Sequence, residues 1–511
     1  MASTKLKGIY SNGMVLQRNQ EIVIEGFESE KTEVKVTLTD QSVTAKVEDG
    51  RFAAVLSPMD VVFDTELKVE GSEVITIKDV CIGDVYMLAG QSNMELPVYR
   101  TMDVSEEEIK NSNYPFIRQY RVTPQYRLSE EKEAELPDLP WTEATGEDLL
   151  QMSAAGFYCA KRIYEKEHIP IGLVLGAQGG STIESWMPTD LLSKFGNYEE
   201  KFQPFLEDGA LQKYLEENAL RNAAWRDALI CDDEEIQRSQ IPEDAEDFTV
   251  PGMILESLGN AYCGVLWFYK EFELKEEPSE DAFVYVGNLI DSDVTYINGV
   301  EVGTIGYRYP PRKYPFDGKI LKKGRNLLSV RLILENGNGG LVDAHPYFIR
   351  SGNEKIDLTG TWKMAKGTYC SSPFVPGYLG QEIPTGLYKA TVRPLRNFAF
   401  RGIWWYQGES NSDQPARYGE KLSGMIDAWR KLFKQDLPLL CIEMPNYTDP
   451  ILGKQPEGWA EIQRQQREAE KNIPDCKVVS ARDLFTPWEL HPQRKSELGA
   501  RMAEAAMQVY Y

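Results

Sequence analysis

Three continuously apolar segments, each followed at once by glycine or polar residues, constrain the fold of this chain most strongly. The segments are 85–89, 170–175 and 402–406. Runs of this length suit strands that are buried on both faces of a parallel sheet. An amphipathic segment with helical spacing follows the third run, over 418–433. This alternation of buried strands and amphipathic helices predicts an α/β sheet with crossover connections.

Two regions, 1–78 and 260–375, do not continue this alternation. Both are rich in short β-branched runs bounded by turn residues, which predicts β-domains. The second region lies between the outer parts of the α/β pattern and therefore reads as an insertion. The predicted boundaries are 1–78 for an N-terminal β-sandwich, 79–204 for the first part of the α/β domain, 205–378 for an insertion of a helical linker and a β-domain, and 379–511 for the second part of the α/β domain.

The charge of the chain argues against two classes of partner. Lys and Arg total 56 and Asp and Glu total 79, so the net charge is −23. Nucleic acids and anionic membranes are bound by basic surfaces, so we expect neither as a partner. No apolar run approaches the ~20 residues of a membrane-spanning helix. The first residues hold no apolar signal segment, which predicts a cytoplasmic location, although a processed or trimmed start would look the same and would be compatible with secretion.

The cysteines and histidines point away from metals and cofactors. The seven cysteines are widely spaced and form no CxxC pair, so most of them read as free thiols. No HExxH, Cys/His cluster or nucleotide-binding glycine motif occurs, so we expect neither a metal nor a cofactor. Only three histidines are present, at 168, 345 and 491, so a histidine-dependent mechanism must choose among them.

A serine follows the first apolar segment, in the sequence GQSNM. Ser92 would lie at the carboxyl edge of the sheet, where α/β proteins bind ligands, and Gly90 permits a tight turn before it. Its hydroxyl would then be exposed as a nucleophile, and its backbone N–H could stabilise an oxyanion. The alternative is a serine that caps the following helix.

Two other strand ends carry groups that suit a developing negative charge. Gly179 and Gly180 follow the second apolar segment and would let a backbone N–H approach a ligand closely, with a simple flexible turn as the alternative. Gln407 follows the third segment and offers an amide donor. A structural polar network at the strand end is the alternative for Gln407.

The base that a serine nucleophile requires is best supplied by His491. It is the only histidine in a loop of the α/β domain after a late strand, and Asp483 and Glu489 lie near it in sequence. His168 lies at a predicted helix end, where a helix-terminal cation is usual, and His345 reads as a local structural or surface residue of the inserted β-domain. The strand ends therefore combine a nucleophile, oxyanion donors and a base.

Taken in order, these motifs resemble those of a known family. The sequences GQSNM, GGSTIESW, WYQGESN and a late His-Pro look like the sialate O-acetylesterase family of carbohydrate esterases, within the SGNH hydrolase superfamily. The resemblance covers roughly residues 79–204 and 379–511. It implies a flavodoxin-like α/β/α domain that removes acetyl groups from O-acetylated sugars through an acyl-enzyme.

The resemblance also implies a role for each candidate residue. Ser92 would be the nucleophile, and His491 would be the general base and then the acid. The Ser92 amide, an amide from Gly179 or Gly180, and the Gln407 side chain would form the oxyanion hole.

The acid that would orient His491 departs from the family pattern. The superfamily places an aspartate three residues before the histidine, where this chain has Trp488. The narrower family usually has an aspartate two residues before it, and here that position is Glu489. We predict Glu489 as the acid, with Asp483 or a Ser–His dyad as the alternatives.

The inserted β-domain resembles the galactose-binding-like jelly rolls attached to many glycan-active enzymes. Tyr307, Tyr309 and Arg312 lie on one of its predicted loops. This loop either leans over the active site or is exposed without contacting it.

The expected partners are acetylated glycans, either 9-O-acetyl sialic acid or hemicelluloses such as xylan, xyloglucan and mannan. Sialic acid is anionic, so a chain of charge −23 would need an arginine near Ser92, and Arg100, Arg401 and Arg482 are candidates. We therefore favour neutral hemicellulose sugars. The rival functions are a non-catalytic carbohydrate-binding protein and an esterase or lipase for longer acyl chains, which would need an apolar groove.

Overall fold

The structure, a computed structural model, describes residues 3–124, 126, 128, 134–230, 234–377 and 379–511. Its architecture is α/β with several β-sheets, as predicted. Cys231 and Tyr378, the predicted last residue of the insertion, lie outside the described residues. The six described cysteines are free thiols. Within the described part of the chain, no helix has the length and apolar character needed to cross a membrane.

The described part of the N-terminal region, from residue 3 onwards, contains eight strands. They are β1 (Thr4–Leu6), β2 (Val15–Gln17), β3 (Ile22–Glu28), β4 (Glu33–Leu38), β5 (Gln41–Lys46), β6 (Arg51–Leu56), β7 (Val62–Glu70) and β8 (Val74–Gly90). One sheet has the order β1-β3-β6, while β5, β4, β7 and β8 pair in turn in another. Burial alternates along β3 and β4 because apolar and polar residues alternate, which turns one face of each sheet into the core.

Strand β8 connects the N-terminal region directly to the α/β domain. Its first six residues are exposed or half-buried, whereas residues 80–90 are all buried. The predicted boundary between 78 and 79 thus falls inside a continuous strand. Apolar residues of both regions also share one hydrophobic core. The N-terminal sandwich is therefore joined to the α/β domain by a shared core and a continuous strand, with no linker between them.

The first part of the α/β domain surrounds β8. Its elements are α1 (Ser92–Glu95), α2 (Met102–Lys110), β9 (Tyr114–Arg121), β10 (Thr142–Ala144), α3 (Gly146–Gln151), α4 (Ala154–Glu167), β11 (Ile171–Leu175), α5 (Thr189–Leu192) and α6 (Glu199–Phe202). The Ser153 hydroxyl caps α4 by accepting from the Gly156 N–H at 3.0 Å. His168 ends this helix in a left-handed conformation, at the position the sequence predicts.

The insertion starts with two helices and continues as an antiparallel β-domain. Its elements are α7 (Ala210–Asp227), α8 (Glu234–Gln237), β12 (Glu246–Val250), β13 (Gly252–Met253), α9 (Ile254–Leu258), β14 (Gly264–Leu274), β15 (Asp281–Ile290), β16 (Ser292–Ile297), β17 (Val300–Ile305), β18 (Pro311–Asp317), β19 (Gly324–Leu334), β20 (Gly340–Ser351), β21 (Glu354–Asp357) and β22 (Gly360–Tyr369). One sheet has the order β12-β22-β14-β19-β16-β17, and the other has the order β13-β20-β15-β18, with β21 beside β20. The apolar faces of the two sheets form a core of their own.

The second part of the α/β domain completes the parallel sheet. Its elements are β23 (Gly402–Tyr406), α10 (Tyr418–Phe433), β24 (Leu439–Glu443), α11 (Trp459–Arg467), α12 (Ala469–Asn472), β25 (Cys476–Ser480) and α13 (Lys495–Val509). The parallel strands lie in the order β9-β11-β8-β23-β24-β25, and β10 is antiparallel at the edge beside β9. Chain order reverses at β8, which has β11 on one side and β23 on the other. Open α/β sheets bind ligands in the crevice at such a point, at the carboxyl ends of the strands.

Candidate active site

Ser92 lies just past the carboxyl end of β8, after a turn that requires glycine. Gly90 has a φ of +123°, and a Cβ at this position would lie 2.2 Å from the carbonyl oxygen of Tyr406. The N-cap of α1 is Gln91, and Ser92 is the first residue of the helix. Ser92 is therefore not a capping serine, and its hydroxyl is available for another role.

The imidazole of His491, which lies in the loop between β25 and α13, contacts this hydroxyl. Its Nε2 lies 2.8 Å from Ser92 Oγ, within hydrogen-bond distance. The two residues are 399 positions apart in the chain, and the fold brings them together at the same edge of the sheet. This is the geometry of a serine nucleophile and its base.

Burial keeps the His491 imidazole neutral. The residue is 9% exposed, and its pKa is lowered to about 3, mainly by loss of hydration and further by the charges of Arg100 and Lys495. Nδ1 is buried without a hydrogen-bond partner among the described residues. A neutral ring leaves Nε2 able to accept the Ser92 proton at ordinary pH.

The predicted hydrogen bond between Glu489 and His491 is absent from the described contacts. Glu489 Oε1 instead lies 3.5 Å from Nε2 of His345, and both side chains are almost completely buried. Trp488 has a φ of +68°, which turns the chain just before the glutamate. The geometry therefore departs from the prediction that Glu489 orients His491, because the Glu489 carboxylate faces a histidine of the inserted domain.

Asp483, the alternative acid, lies at the surface. It pairs with Arg501 through two hydrogen bonds of 2.6 and 2.7 Å, and this pairing lowers the pKa of the carboxyl to about 2. Neither acid contacts His491 Nδ1, so Ser92 is the hydrogen-bond partner of this imidazole among the described residues.

Gly179 and Gly180 form the turn beside the nucleophile. A Cβ on Gly179 would lie 3.4 Å from the Cβ of Ser92, and its N–H donates to Glu95 Oε2 at 2.7 Å. Gly180 has a φ of +75°, a conformation that favours glycine. Both glycines line the same cavity as Ser92. Their backbone thus lies beside Ser92 at the wall of this cavity.

Gln407 lies behind the site and does not face the cavity. It is completely buried, and its Nε2 donates to the Ser181 carbonyl at 3.1 Å and to Asn411 Oδ1 at 2.7 Å. Its Oε1 accepts from the Tyr418 hydroxyl at 2.9 Å. The structure thus departs from the prediction of Gln407 as an oxyanion donor, because both of its amide hydrogens bond other groups. The alternative, a structural network at the strand end, describes Gln407 correctly.

Asn93 connects three parts of the site, although no sequence pattern beyond its place after Ser92 singles it out. Its Nδ2 donates to Glu409 Oε1 at 2.7 Å and to the Leu490 carbonyl at 3.1 Å, and its Oδ1 accepts from Lys495 Nζ at 2.6 Å. Burial raises the pKa of Glu409 and lowers that of Lys495 to about 8. Asn93 thus ties the nucleophile turn to the loop that carries His491.

Ser92 and His491 open onto a cavity of about 1070 Å³. Of the three candidate arginines, Arg100 lines this cavity, and its Nε is buried with no partner among the described residues. Arg401 lies 5.5 Å from the ring centre of Tyr511, and Arg482 lies 3.7 Å from Glu443. Arg100 is therefore the candidate that could meet a bound anionic sugar.

One wall of the cavity comes from the inserted domain. Tyr307 and Tyr309 both line it, so the loop that carries them does reach the site. Arg312 does not face the cavity, since it is fully buried and pairs with Asp293 at 2.8 Å. Within the described ranges, no three His, Cys, Asp or Glu side chains are grouped closely enough to hold a metal ion.

Comparison with known proteins identifies the family. The family described as "Carbohydrate esterase, sialic acid-specific acetylesterase" matches residues 82–209 and 355–508, which together exceed half of the chain. The two matched segments contain Ser92, both glycines and His491. The chain therefore belongs to this carbohydrate esterase family.

Individual relatives match a smaller part of the chain. The human sialate O-acetylesterase (Homo sapiens) is 29% identical over 194 residues, 34% of this chain and 37% of the human protein. The rat enzyme (Rattus norvegicus) is 30% identical over 205 residues, 36% of this chain and 38% of its own length. The match thus spans less than two fifths of these relatives.

A solved structure matches almost the whole fold. XAC1771, described as a novel carbohydrate acetylesterase from Xanthomonas citri, aligns with a TM-score of 0.60 and 19% identity. The alignment covers 99% of this chain and 75% of that chain. At this identity the similarity establishes a shared fold that extends over the sandwich, the α/β domain and the insertion.

Proposed function

We propose that this protein is a carbohydrate O-acetylesterase with Ser92 as nucleophile and His491 as base. The observation that carries the proposal is the 2.8 Å contact between Ser92 Oγ and a buried, neutral His491 Nε2 in an open cavity. Membership of the carbohydrate esterase family supports the reaction class.

The reaction follows from the positions of these two residues. Ser92 Oγ attacks the carbonyl carbon of an O-acetyl group while its proton passes to His491 Nε2. The tetrahedral intermediate collapses with cleavage of the bond to the sugar oxygen, which takes the proton from His491. Water, activated by the neutral His491, then hydrolyses the acetyl-enzyme to acetate and free Ser92.

The oxyanion of this intermediate needs hydrogen-bond donors beside Ser92. The candidates are the Ser92 amide and one amide of the Gly179–Gly180 turn, whose backbone lies against the nucleophile. The Gly179 N–H is engaged by Glu95 in the free enzyme, so its use requires Glu95 to give way to the substrate. Each donor that reaches the oxyanion would contribute about 3 kcal/mol of transition-state stabilisation.

We infer further that the α/β domain is a flavodoxin-like SGNH hydrolase domain. Apart from β9 and β10, which lie beyond β11, the strands lie in the order β11-β8-β23-β24-β25. Numbered along the chain, this order is 2-1-3-4-5, the order of flavodoxin-like sheets. The nucleophile follows the first of these strands, at the point where chain order reverses.

The substrate we propose is an O-acetylated sugar within a glycan. The cavity combines tyrosine rings with polar groups, which suits a sugar better than a fatty acyl chain. Arg100 gives an anionic sugar such as a sialic acid one cationic group to bind, whereas a neutral hemicellulose sugar needs none.

Acetate release from a panel of acetylated glycans tests this function and separates it from its rivals. The panel contains mucin sialic acids, xylan, xyloglucan and mannan, and Ser92→Ala is the blank. Ser92-dependent acetate from at least one glycan is expected. Glycan binding without acetate release would instead make the protein a carbohydrate-binding module. Faster hydrolysis of p-nitrophenyl octanoate than of the acetate would make it a longer-chain esterase.

The low pKa of His491 predicts an unusual pH profile. An ordinary histidine has a pKa of about 6.5, so kcat/KM of a serine esterase normally falls as the pH drops below that value. With a pKa of about 3, His491 stays deprotonated through this window. We expect kcat/KM for acetyl release to change by less than about twofold between pH 7.5 and pH 5.

Arg100→Gln checks the cause of this profile. Removing a positive charge beside His491 raises the pKa of its imidazole. The acidic limb of the profile, where kcat/KM falls as the pH drops, should therefore move to higher pH. A wild-type limb centred near pH 6.5 would contradict a buried, neutral base.

Replacing Glu489 tests whether the enzyme works as a dyad. Because this carboxylate contacts His345 and not His491, Glu489→Ala should lower kcat by less than about tenfold. Asp483→Ala, which removes a surface acid paired with Arg501, is the matched control and should leave kcat unchanged. A loss of 10³-fold or more for Glu489→Ala alone would mean that Glu489 turns to His491 during catalysis.

A further inference from the structure

A loop of the inserted domain touches the catalytic base. The rings of Tyr309 and His491 have centroids 5.5 Å apart and an interplanar angle of 77°, an edge-to-face contact. Tyr309 is 38% exposed, so it lies at the cavity surface, and His491 lies beneath it. The contact joins two domains whose residues are far apart in the chain.

Side chains of the inserted domain hydrogen-bond the backbone of this loop. Arg312 is fully buried and donates to the carbonyl oxygens of Tyr307 at 2.9 Å and of Asp291 at 2.8 Å, besides its ion pair with Asp293. Asn288 Nδ2 donates to the carbonyl oxygen of Tyr309 at 3.1 Å. These bonds anchor the loop backbone at Tyr307 and at Tyr309 itself.

We propose that Tyr309 is a positioning residue for the catalytic base, which holds the His491 ring in the pose that bonds Ser92 and shields it from water. This inference rests on the proposed function, in which His491 is the base. A histidine whose Nδ1 has no acid to orient it needs another support for its ring plane. In this structure the edge-to-face contact with Tyr309 supplies one.

The pKa of His491 depends on the groups around it, so the loss of Tyr309 should change that pKa measurably. Arg100 and Lys495 oppose protonation of the ring, Ser92 bonds its Nε2, and Glu489 on the same loop contacts His345. Loss of hydration is the largest cause of the low pKa of His491. Removing the Tyr309 ring admits water and should therefore move the pKa of His491 up, towards about 6.5.

The wild type and three variants test the inference. The quantities measured are kcat, KM and the acidic limb of the pH profile of kcat/KM in acetyl release. Tyr309→Phe keeps the ring and should stay within about twofold of wild type in kcat. Tyr309→Ala should lower kcat about tenfold, with a smaller change in KM, and move the acidic limb to higher pH. Tyr369→Ala removes an exposed tyrosine of the same domain that does not line the cavity. This variant should change neither kcat nor the acidic limb.

The outcomes separate this inference from the proposed function. A wild-type enzyme without Ser92-dependent acetyl release would overturn the proposed function itself. An active wild type together with Tyr309→Ala that keeps both kcat and the acidic limb would overturn only the role of Tyr309. If Tyr309→Ala does not fold, as judged by its melting transition, Tyr309→Leu replaces it under the same expectations.

Discussion

Ser92→Ala is expected to abolish acetyl release, with kcat lowered by about 10⁴- to 10⁶-fold. In the proposed mechanism the hydroxyl oxygen of Ser92 forms the acetyl-enzyme, and among the described residues no other serine hydroxyl contacts His491. His491→Ala should have a loss of similar size, because a serine without a base is a weak nucleophile. The double variant should lose little more than either single variant, since the two residues act as a unit.

Two measurements check this expectation. Pre-steady-state hydrolysis of p-nitrophenyl acetate should show a burst in the wild type and none in Ser92→Ala. Mass spectrometry of the quenched wild type should find one acetyl group, on the peptide that contains Ser92. Ser423→Ala, a half-buried serine on α10, is the matched control and should behave as wild type. An acetyl-enzyme formed by Ser92→Ala would require another nucleophile and would sink the mechanism.

Ser92 and His491 could be singled out from the sequence because few residues could fill their predicted roles. Only three histidines exist, and only His491 follows a late strand of the α/β pattern. Ser92 follows a run of apolar residues that suits a buried strand of a parallel sheet. The carboxyl end of such a strand lies at the edge of the sheet where α/β proteins bind ligands. Local patterns were sufficient here because the topology, once recognised as α/β, brings strand ends together.

The supporting residues were not predictable in the same way. Gln407 follows a strand end as an oxyanion donor would, but its amide is taken up by Ser181 and Asn411. Glu489 has the right spacing from His491, but His345 arrives from another domain and contacts its carboxylate. Which partner a polar side chain meets depends on long-range packing, and no spacing rule along one segment contains that information.

The position of a domain boundary also depends on long-range packing that the sequence does not show directly. The sequence predicts the end of the N-terminal sandwich at residue 78, where the composition changes from alternating to continuously apolar. That change takes place within β8, because the same strand is half-exposed in the sandwich and fully buried in the central sheet. A change in burial therefore marks where a strand enters another layer, and it does not require a break in the chain.

Asn93→Ala is expected to destabilise the fold by about 3 kcal/mol and to lower kcat by about 100-fold. Asn93 is fully buried and bonds the Glu409 carboxylate and the Lys495 ammonium at once, so alanine leaves both groups without these partners in a dry environment. It also removes the bond to the Leu490 carbonyl, which holds the His491 loop against the nucleophile turn. In the proposed mechanism no acid orients His491, so this loop contact should matter more for catalysis than it would in a complete triad.

Urea unfolding and acetyl release, measured on the same preparations, separate the two effects. Asn397→Ala is the matched control, since it removes an asparagine–glutamate hydrogen bond to Glu25 at 2.7 Å outside the site, and it should cost no more than about 1 kcal/mol and leave kcat unchanged. Asn93→Asp should also lose activity, because a second carboxylate would face Glu409. Wild-type kcat in a folded Asn93→Ala would mean that the pose of His491 does not depend on this bridge, and the Tyr309 contact would then remain as its support.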